Sequence, residues 1–273
     1  MNIFFELFIA ILKVRKLPLS FSQKFELDWV LFKLAFLKIF SKNQTNVTIQ
    51  LFGLIIENYN YRLLDYLIKE VFVANEYYFQ TENKAPIIVD CGANIGMATL
   101  FFKWLQPNAT IYSFEPQKST FDILERNIKR NNLQNVHYFN LALSDSNGTI
   151  DFFGEDSSNL MSSVLQERST GKKVTVECRK LSDFVSIISE PIDLLKIDVE
   201  GAETFILKDL IDTNKLDKSV FKQIIMEYHH KIENQSSKMG EFLLPFEKQG
   251  YEYQVRADFK QLSTFQDMLL HFF

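Results

Sequence analysis

Cysteine is almost missing from this chain: Cys91 and Cys178 are the only two in 273 residues, and neither sits in a C-x-x-C pair or near a His at zinc-site spacing. Two distant thiols fit a reducing, cytoplasmic setting without a disulfide. An excess of positive charge is missing too, because 30 Lys and Arg stand against 34 Asp and Glu, giving a formal charge of -4. With no basic field to release counterions from a phosphate backbone, nucleic acid is not an expected partner. No apolar run reaches the ~20 residues of a membrane-spanning helix. The opening MNIFFELFIAIL is shorter, and it has neither a basic lead nor a small-residue cleavage site, which argues against a secretory signal. Followed by Lys13, Arg15 and Lys16, residues 1–16 are expected to pack as a helix on the protein, with peripheral contact to the inner face of a membrane as the alternative. Internal repeats and low-complexity linkers are also absent.

What remains is the composition of an ordinary globular protein, 47% hydrophobic and 23% charged. The exception is phenylalanine, at 27 residues, which points to bulky packing and to a greasy acceptor or a lipid-facing surface, unless it records codon bias alone. Residues 1–80 read as a mainly helical cap and 81–273 as the main domain. Apolar spacing through Phe25, Val30, Leu31, Leu34, Phe36 and Leu37 predicts a helix over about 22–41, and VTIQLFGLII, with Gly53 inside it, predicts a short hairpin. Helical periodicity returns from Tyr61 to Phe72.

From Pro86 onward strands and helices alternate. PIIVDC, ATIYSFEP, VHYFNLAL, IDLLKIDVEG and KQIIMEYHH read as single sheet strands, with GTIDFF in an excursion. Helices are expected over Ile95–Leu105, Phe121–Asn131, after Ala202 and over Lys238–Gln249. This alternation predicts an α/β fold with a doubly wound, mostly parallel sheet, its antiparallel edge formed by YEYQVRA and DMLLHFF. The stretch from Gly154 to Lys173, rich in Ser and charge, is expected to be a surface loop over a site.

VDCGANIG, residues 89–96, falls where a strand ends and a helix begins, the position at which such folds bind nucleotides. Gly92 and Gly96 allow a tight turn and a close backbone approach, with Ala93 and Asn94 between them. The spacing is not G-x-G-x-x-G. Asp90 at the strand end would repel a pyrophosphate and attract the ammonium or sulfonium of S-adenosylmethionine, which disfavours a nicotinamide oxidoreductase. Glu115 ends the next strand, close to the ~20-residue offset at which an acid accepts hydrogen bonds from ribose hydroxyls. Ala142 is expected beside the adenine, with Ser144 and Asp145 near its amino group.

KIDVEGAE gathers Asp198, Glu200 and Glu203 around the fourth strand end, and MEYHH brings Glu227, His229 and His230 to the neighbouring one. Strand alternation puts Glu227 and His229 on one side and His230 on the other. Glu203 reads best as a solvated first-turn acid. Asp198, Glu200, Glu227 and His229 would supply a general base and its orienter, the favoured reading, or ligands for a divalent cation, the less favoured one. His137 and His271 lack such company.

VDCGANIG, YSFEP, LLKIDVEGAE and IIMEYHH, in that order, resemble the FkbM-type family of S-adenosylmethionine-dependent methyltransferases, and EVFVANEYYF resembles the segment preceding that family's first sheet strand. The resemblance runs from about residue 50 to the C-terminus. It implies the class I methyltransferase fold with its seven-stranded sheet, and O-methyl transfer to a small molecule or glycan: a sugar, glycolipid or polyketide hydroxyl. It further implies that Asp90, Gly92, Asn94, Gly96 and Glu115 bind cofactor, with Asp198 near its methionine part. Cys91 departs from the family's usual apolar residue or Gly, and a non-catalytic protein with a degenerate fold is the remaining rival.

Overall fold

The computed structural model describes residues 3–41, 44–154, 172–188, 190–230, 238–257 and 266–273. Most of the expected Gly154–Lys173 loop lies outside them. The chain opens with α1 (Ile3–Lys16), which buries Leu7, Ala10 and Val14, a three-and-four spacing that marks one helical face. α2 (Phe21–Phe40) begins on a reciprocal cap in which Gln23 N–H donates to Ser20 Oγ at 3.3 Å and Ser20 N–H donates to Gln23 Oε1 at 3.0 Å. The hairpin is present as β1 (Val47–Leu51) and β2 (Leu54–Asn58), joined by Phe52 and Gly53, both with φ in the left-handed region as a two-residue turn requires. α3 (Tyr61–Ile68) runs on into one π-helical turn, Lys69–Val73.

The following elements are β3 (Ile87–Cys91), α4 (Met97–Leu105), β4 (Thr110–Phe114), α5 (Lys118–Arg130), β5 (Val136–Phe139), β6 (Ala142–Ser144), β7 (Gly148–Gly154) and β8 (Lys172–Lys180). α6 (Leu181–Val185), β9 (Leu194–Ile197), α7 (Glu203–Asp212), β10 (Ile224–His230), α8 (Met239–Lys248), β11 (Tyr253–Ala257) and β12 (Gln266–Phe272) complete the chain. Seven strands form the main sheet in the order β11-β12-β10-β9-β3-β4-β5, with parallel pairing from β10 to β5 and antiparallel pairing of β12 with both β10 and β11. The antiparallel edge expected from YEYQVRA and DMLLHFF is present: β12 pairs antiparallel with β10 and with the outermost strand, β11. One sequence expectation needs correcting. VHYFNLAL is not one strand: it breaks after Phe139, and its second half, β6, joins β8 and β7 in a separate three-stranded sheet.

Alternating strand residues feed two cores, as a sheet covered on both faces demands. Ile88 of β3 joins Leu31, Leu34, Ile56, Phe101 and Phe102, so the N-terminal helices and hairpin share one apolar cluster with the sheet and α4. Val89 joins Phe114, Leu195, Ile197 and Leu210 on the opposite face. The hairpin is also fastened to α5 by polar clamps. Asn127 Oδ1 accepts from Glu57 N–H at 2.7 Å while its Nδ2 donates to Glu57 O at 3.0 Å, and Asn131, one turn on, does the same to Ile55 at 2.7 Å in both directions. The two amides thus satisfy backbone groups of β2 as a neighbouring strand would. Among the described residues no helix is long and apolar enough to cross a membrane.

Candidate active site

The chain winds from β3 outward through β4 to β5, and later from β9 outward the other way to β10, so the winding direction reverses between β3 and β9. At such a switch point the loops diverge and leave a crevice at the carboxyl ends of the strands. The crevice encloses about 820 Å³ including its open mouth, between the loops after β3, β4 and β9. Gly92, Asn94, Glu115, Ala142, Asp198 and Glu200 all line it.

Gly92 has φ +79°, and a Cβ there would lie 1.7 Å from the Asp198 carbonyl oxygen; side-chain-free backbone is what lets the two loops meet. Its N–H and that of Ala93 donate to Phe114 O at 3.0 and 2.8 Å, fixing the turn to the end of β4. Gly96, at φ +85°, packs against Leu124 of α5 and does not line the crevice, so its role is in packing. Asn94 N–H donates to Glu115 Oε2 at 2.9 Å and Gln117 N–H donates to Oε1 at 2.8 Å. Burial nevertheless outweighs these two bonds and pushes the Glu115 carboxyl up to about 7.

Asp90 differs from the sequence expectation. It is fully buried behind the turn, where Thr99 Oγ donates to it at 2.9 Å and Lys196 Nζ stands 3.2 Å away, and it does not line the crevice. Its charge is balanced within the chain, and the acids that line the crevice are Glu115, Asp198 and Glu200. Lys196 was invisible to the motif reading, although a lysine inside the otherwise apolar LLKI strand is itself a signal. Its Nζ donates to Gly92 O at 2.8 Å and approaches Asp198 Oδ2 at 3.5 Å, tying β9 to the β3 turn. Burial opposes its charge, but Asp90 and Asp198 prevail and hold its pKa above the ordinary lysine value.

Tyr77, another residue the motifs did not single out, donates from its hydroxyl to Asp198 Oδ2 at 2.9 Å. Burial raises the Asp198 pKa, but Lys196, His229 and this Tyr77 hydrogen bond together hold the carboxyl below its usual value. The cap contributes Asn58, Tyr59 and Leu63 to the crevice wall, a contribution no local sequence pattern announces. Ser144 and Asp145, expected near an adenine, do not line it; Asp145 pairs with Lys208 at 3.1 Å.

Beside Asp198 and Glu200 lies a cluster of titratable groups. Glu227 and His229 do share one side of β10, with His229 Nε2 3.9 Å from Glu227 Oε1, 3.5 Å from Glu200 Oε2 and 3.7 Å from Asp267 Oδ1. The side chain of His230 lies outside the described residues. Glu203 is not a solvated acid: it is 1% exposed, accepts from Gly201 N–H at 2.9 Å, and lies 2.7 Å from His229 Nδ1. A carboxylate accepts, so Nδ1 is the nitrogen that donates to Glu203, and Nε2 is turned toward Glu200, Glu227 and Asp267. Burial first, then Asp198, Glu70 and Glu200, push the Glu227 carboxyl well above its ordinary value. Asp198, Glu227 and His229 bring ligand atoms within 4.8 Å of one another. Of the other histidines, His137 stacks on Tyr112, and burial depresses the pKa of His271. Both cysteines are free and buried.

The model of the methyltransferase FkbM domain matches residues 90–253. The chain belongs to the FkbM methyltransferase family. Methyltransferase 1 of Beauveria bassiana (strain ARSEF 2860) is 34% identical over 169 residues, covering 55% of this chain and 68% of that protein. The 2-O-methyltransferase NoeI of Sinorhizobium fredii (strain NBRC 101917 / NGR234) is 30% identical over 142 residues, covering 46% of this chain and 58% of its own. The solved structure of the methyltransferase FkbM from Methylobacillus flagellatus KT aligns with a TM-score of 0.50 at 12% identity, over 97% of this chain and 58% of that one, a likeness of fold. The FkbM match begins at Asp90, so the helices and hairpin before β3 lie outside it, although they line its crevice.

Proposed function

We propose that the protein is an S-adenosylmethionine-dependent O-methyltransferase whose acceptor is a hydroxyl of a small molecule or glycan. The observation that carries the reading is the His229–Glu203 pair, which directs Nε2 toward Glu200, a residue of the crevice wall. The donor set fits S-adenosylmethionine. Glu115 offers a carboxylate for two ribose hydroxyls, Phe114, Leu141 and Val199 are apolar wall, and Asp198 and Glu200 supply negative charge where a sulfonium and an ammonium need it. S-adenosylmethionine supplies an electrophilic methyl on a positively charged sulfur. His229 Nε2 takes the proton of the acceptor hydroxyl, and Glu203 stabilises the imidazolium that results. Tyr77 and Lys196 hold Asp198 in place. Kinship with a protein named as a 2-O-methyltransferase supports the hydroxyl acceptor.

A second reading makes Asp198, Glu227 and His229 ligands of a divalent cation that binds the acceptor oxygens, favoured by the mutual approach of their ligand atoms. Labelled S-adenosylmethionine, incubated with fractionated glycans and lipids before and after exhaustive chelation, tests both. Label that enters a sugar or lipid hydroxyl and survives chelation supports the base. Label restored only by added cation supports the second reading, and no labelled hydroxyl in any fraction refutes the O-methyltransferase.

A further inference from the structure

α1 and α2 are apolar on both sides. Their inner faces join the core through Leu7, Val14, Leu27, Leu31 and Leu34. On α2 the outer face carries Phe21, Phe25, Trp29, Phe32, Phe36 and Phe40, intervals of three and four that draw a single stripe along the helix. Phe21 is 83% exposed, Phe25 65% and Trp29 61%; on the adjoining α1, Phe5, Phe8 and Leu12 are exposed as well. Contiguous exposed apolar surface on this scale marks an interaction site.

Charge identifies that neighbour. Over residues 1–41 Lys and Arg outnumber Asp and Glu six to three, in a chain that is otherwise acidic. Lys13, Arg15, Lys16 and Lys33 are exposed beside the aromatic face. A second copy would bring these same cations face to face across a two-fold axis, because such an interface pairs a patch with itself. An anionic lipid surface instead meets the cations with phosphate and the rings with its headgroup boundary, the level at which Trp and Phe partition.

We propose that the outward faces of α1 and α2 dock the protein on the surface of an anionic bilayer. The helices lie in the interface and do not cross it. Trp29 reports on this directly, since the only other tryptophan, Trp104, is stacked on Phe52 at 4.8 Å and can be removed as Trp104→Phe. The full chain should float with vesicles of phosphatidylcholine and phosphatidylglycerol. It should bind pure phosphatidylcholine at least about tenfold more weakly, given roughly tenfold affinity for every one or two basic residues engaged. Trp29 emission should move to the blue on adding the mixed vesicles. Phe25→Glu with Phe32→Glu, both at exposed positions, should abolish flotation while the melting temperature stays near that of the parent. Absence of flotation with either vesicle would overturn the proposal. So would a chain that already elutes as a dimer with Trp29 emission blue-shifted before lipid is added, because a second copy would then cover the face.

Discussion

His229 Nδ1 lies 2.7 Å from Glu203 Oε1, with the two side chains 1% and 2% exposed. A buried carboxylate at that distance fixes the tautomer and raises the basicity of Nε2. His229→Ala should lower turnover on the order of a hundredfold or more while S-adenosylhomocysteine affinity, read by calorimetry, stays close to that of the parent. Glu203→Gln should lower turnover too, and shift the acid limb of its pH profile downward, because the imidazolium loses its counter-charge. A turnover unchanged in both variants would remove the pair from the chemistry.

The proposed ribose contact makes cofactor binding depend on pH through Glu115. Its carboxyl is raised to about 7 by burial, and the ionised form is the stronger acceptor for two hydroxyls. S-adenosylhomocysteine affinity should therefore climb from pH 6 to pH 8 and level off above, and Glu115→Gln should bind more weakly with that climb gone. Wild-type affinity in the variant, or an affinity flat with pH in the parent, would contradict the ribose assignment.

How much of this was legible in the sequence depends on whether the informative partners were local. Glu115 follows Gly96 at a readable distance, and it lines the crevice. Glu203 and Asp90 were misjudged because their partners, His229 and Lys196, are brought in by other strands, and a residue-by-residue scan sees only the acid. The same holds for Tyr77 and for the cap residues Asn58, Tyr59 and Leu63. The parallel strands stood out as short apolar runs. The break inside VHYFNLAL did not, because its first half pairs with the preceding strand, β4, and its second half with β8 of a different sheet, further along the chain.

Lys196 is the electrostatic tie between β3 and β9. Replacing it by Met leaves Asp90 buried with its charge uncompensated, and the protein should lose ~3–5 kcal/mol of stability, the usual cost of removing one member of a buried ion pair. Asp90→Asn added to Lys196→Met should recover part of the loss. Urea unfolding of the two variants measures both, and equal stability of the single and double variants would show that Asp90 is not the group Lys196 compensates.

Glu70 gives the opposite pH signature to a salt-bridged acid. Burial, with Glu76 and Asp198 nearby, pushes its carboxyl to about 8, above the ordinary value of 4.5 to which unfolding returns it. A folded pKa raised in this way contributes stability that is fully present below about 4.5 and is lost as pH rises through about 8. Glu70→Gln retains an acceptor for the Tyr66 hydroxyl at 3.2 Å but cannot ionise. Its melting temperature should match the parent near pH 4, exceed it progressively between pH 5 and 8, and hold a constant lead above that. A lead that is the same at all pH values would place the effect in packing.

Three glycines with similar backbone angles separate strain from collision. Gly53, Gly96 and Gly92 have φ of +78°, +85° and +79°, so an alanine at each meets the same left-handed penalty of ~1–2 kcal/mol. At Gly53 nothing lies within 4 Å of the added Cβ, and the penalty stands alone. At Gly96 the Cβ falls 2.6 Å from Leu124 Cδ1, the end of a side chain that can turn aside at some cost in packing. At Gly92 it falls 1.7 Å from the Asp198 backbone oxygen, and relief requires the β3 and β9 loops to separate. Denaturant midpoints should therefore fall in the order Gly53→Ala, Gly96→Ala, Gly92→Ala. Leu124→Ala should partly rescue Gly96→Ala. Only Gly92→Ala should also abolish S-adenosylhomocysteine binding in whatever fraction still folds, because the loops it forces apart are the two that carry Asp198 and the Asn94–Glu115 contact.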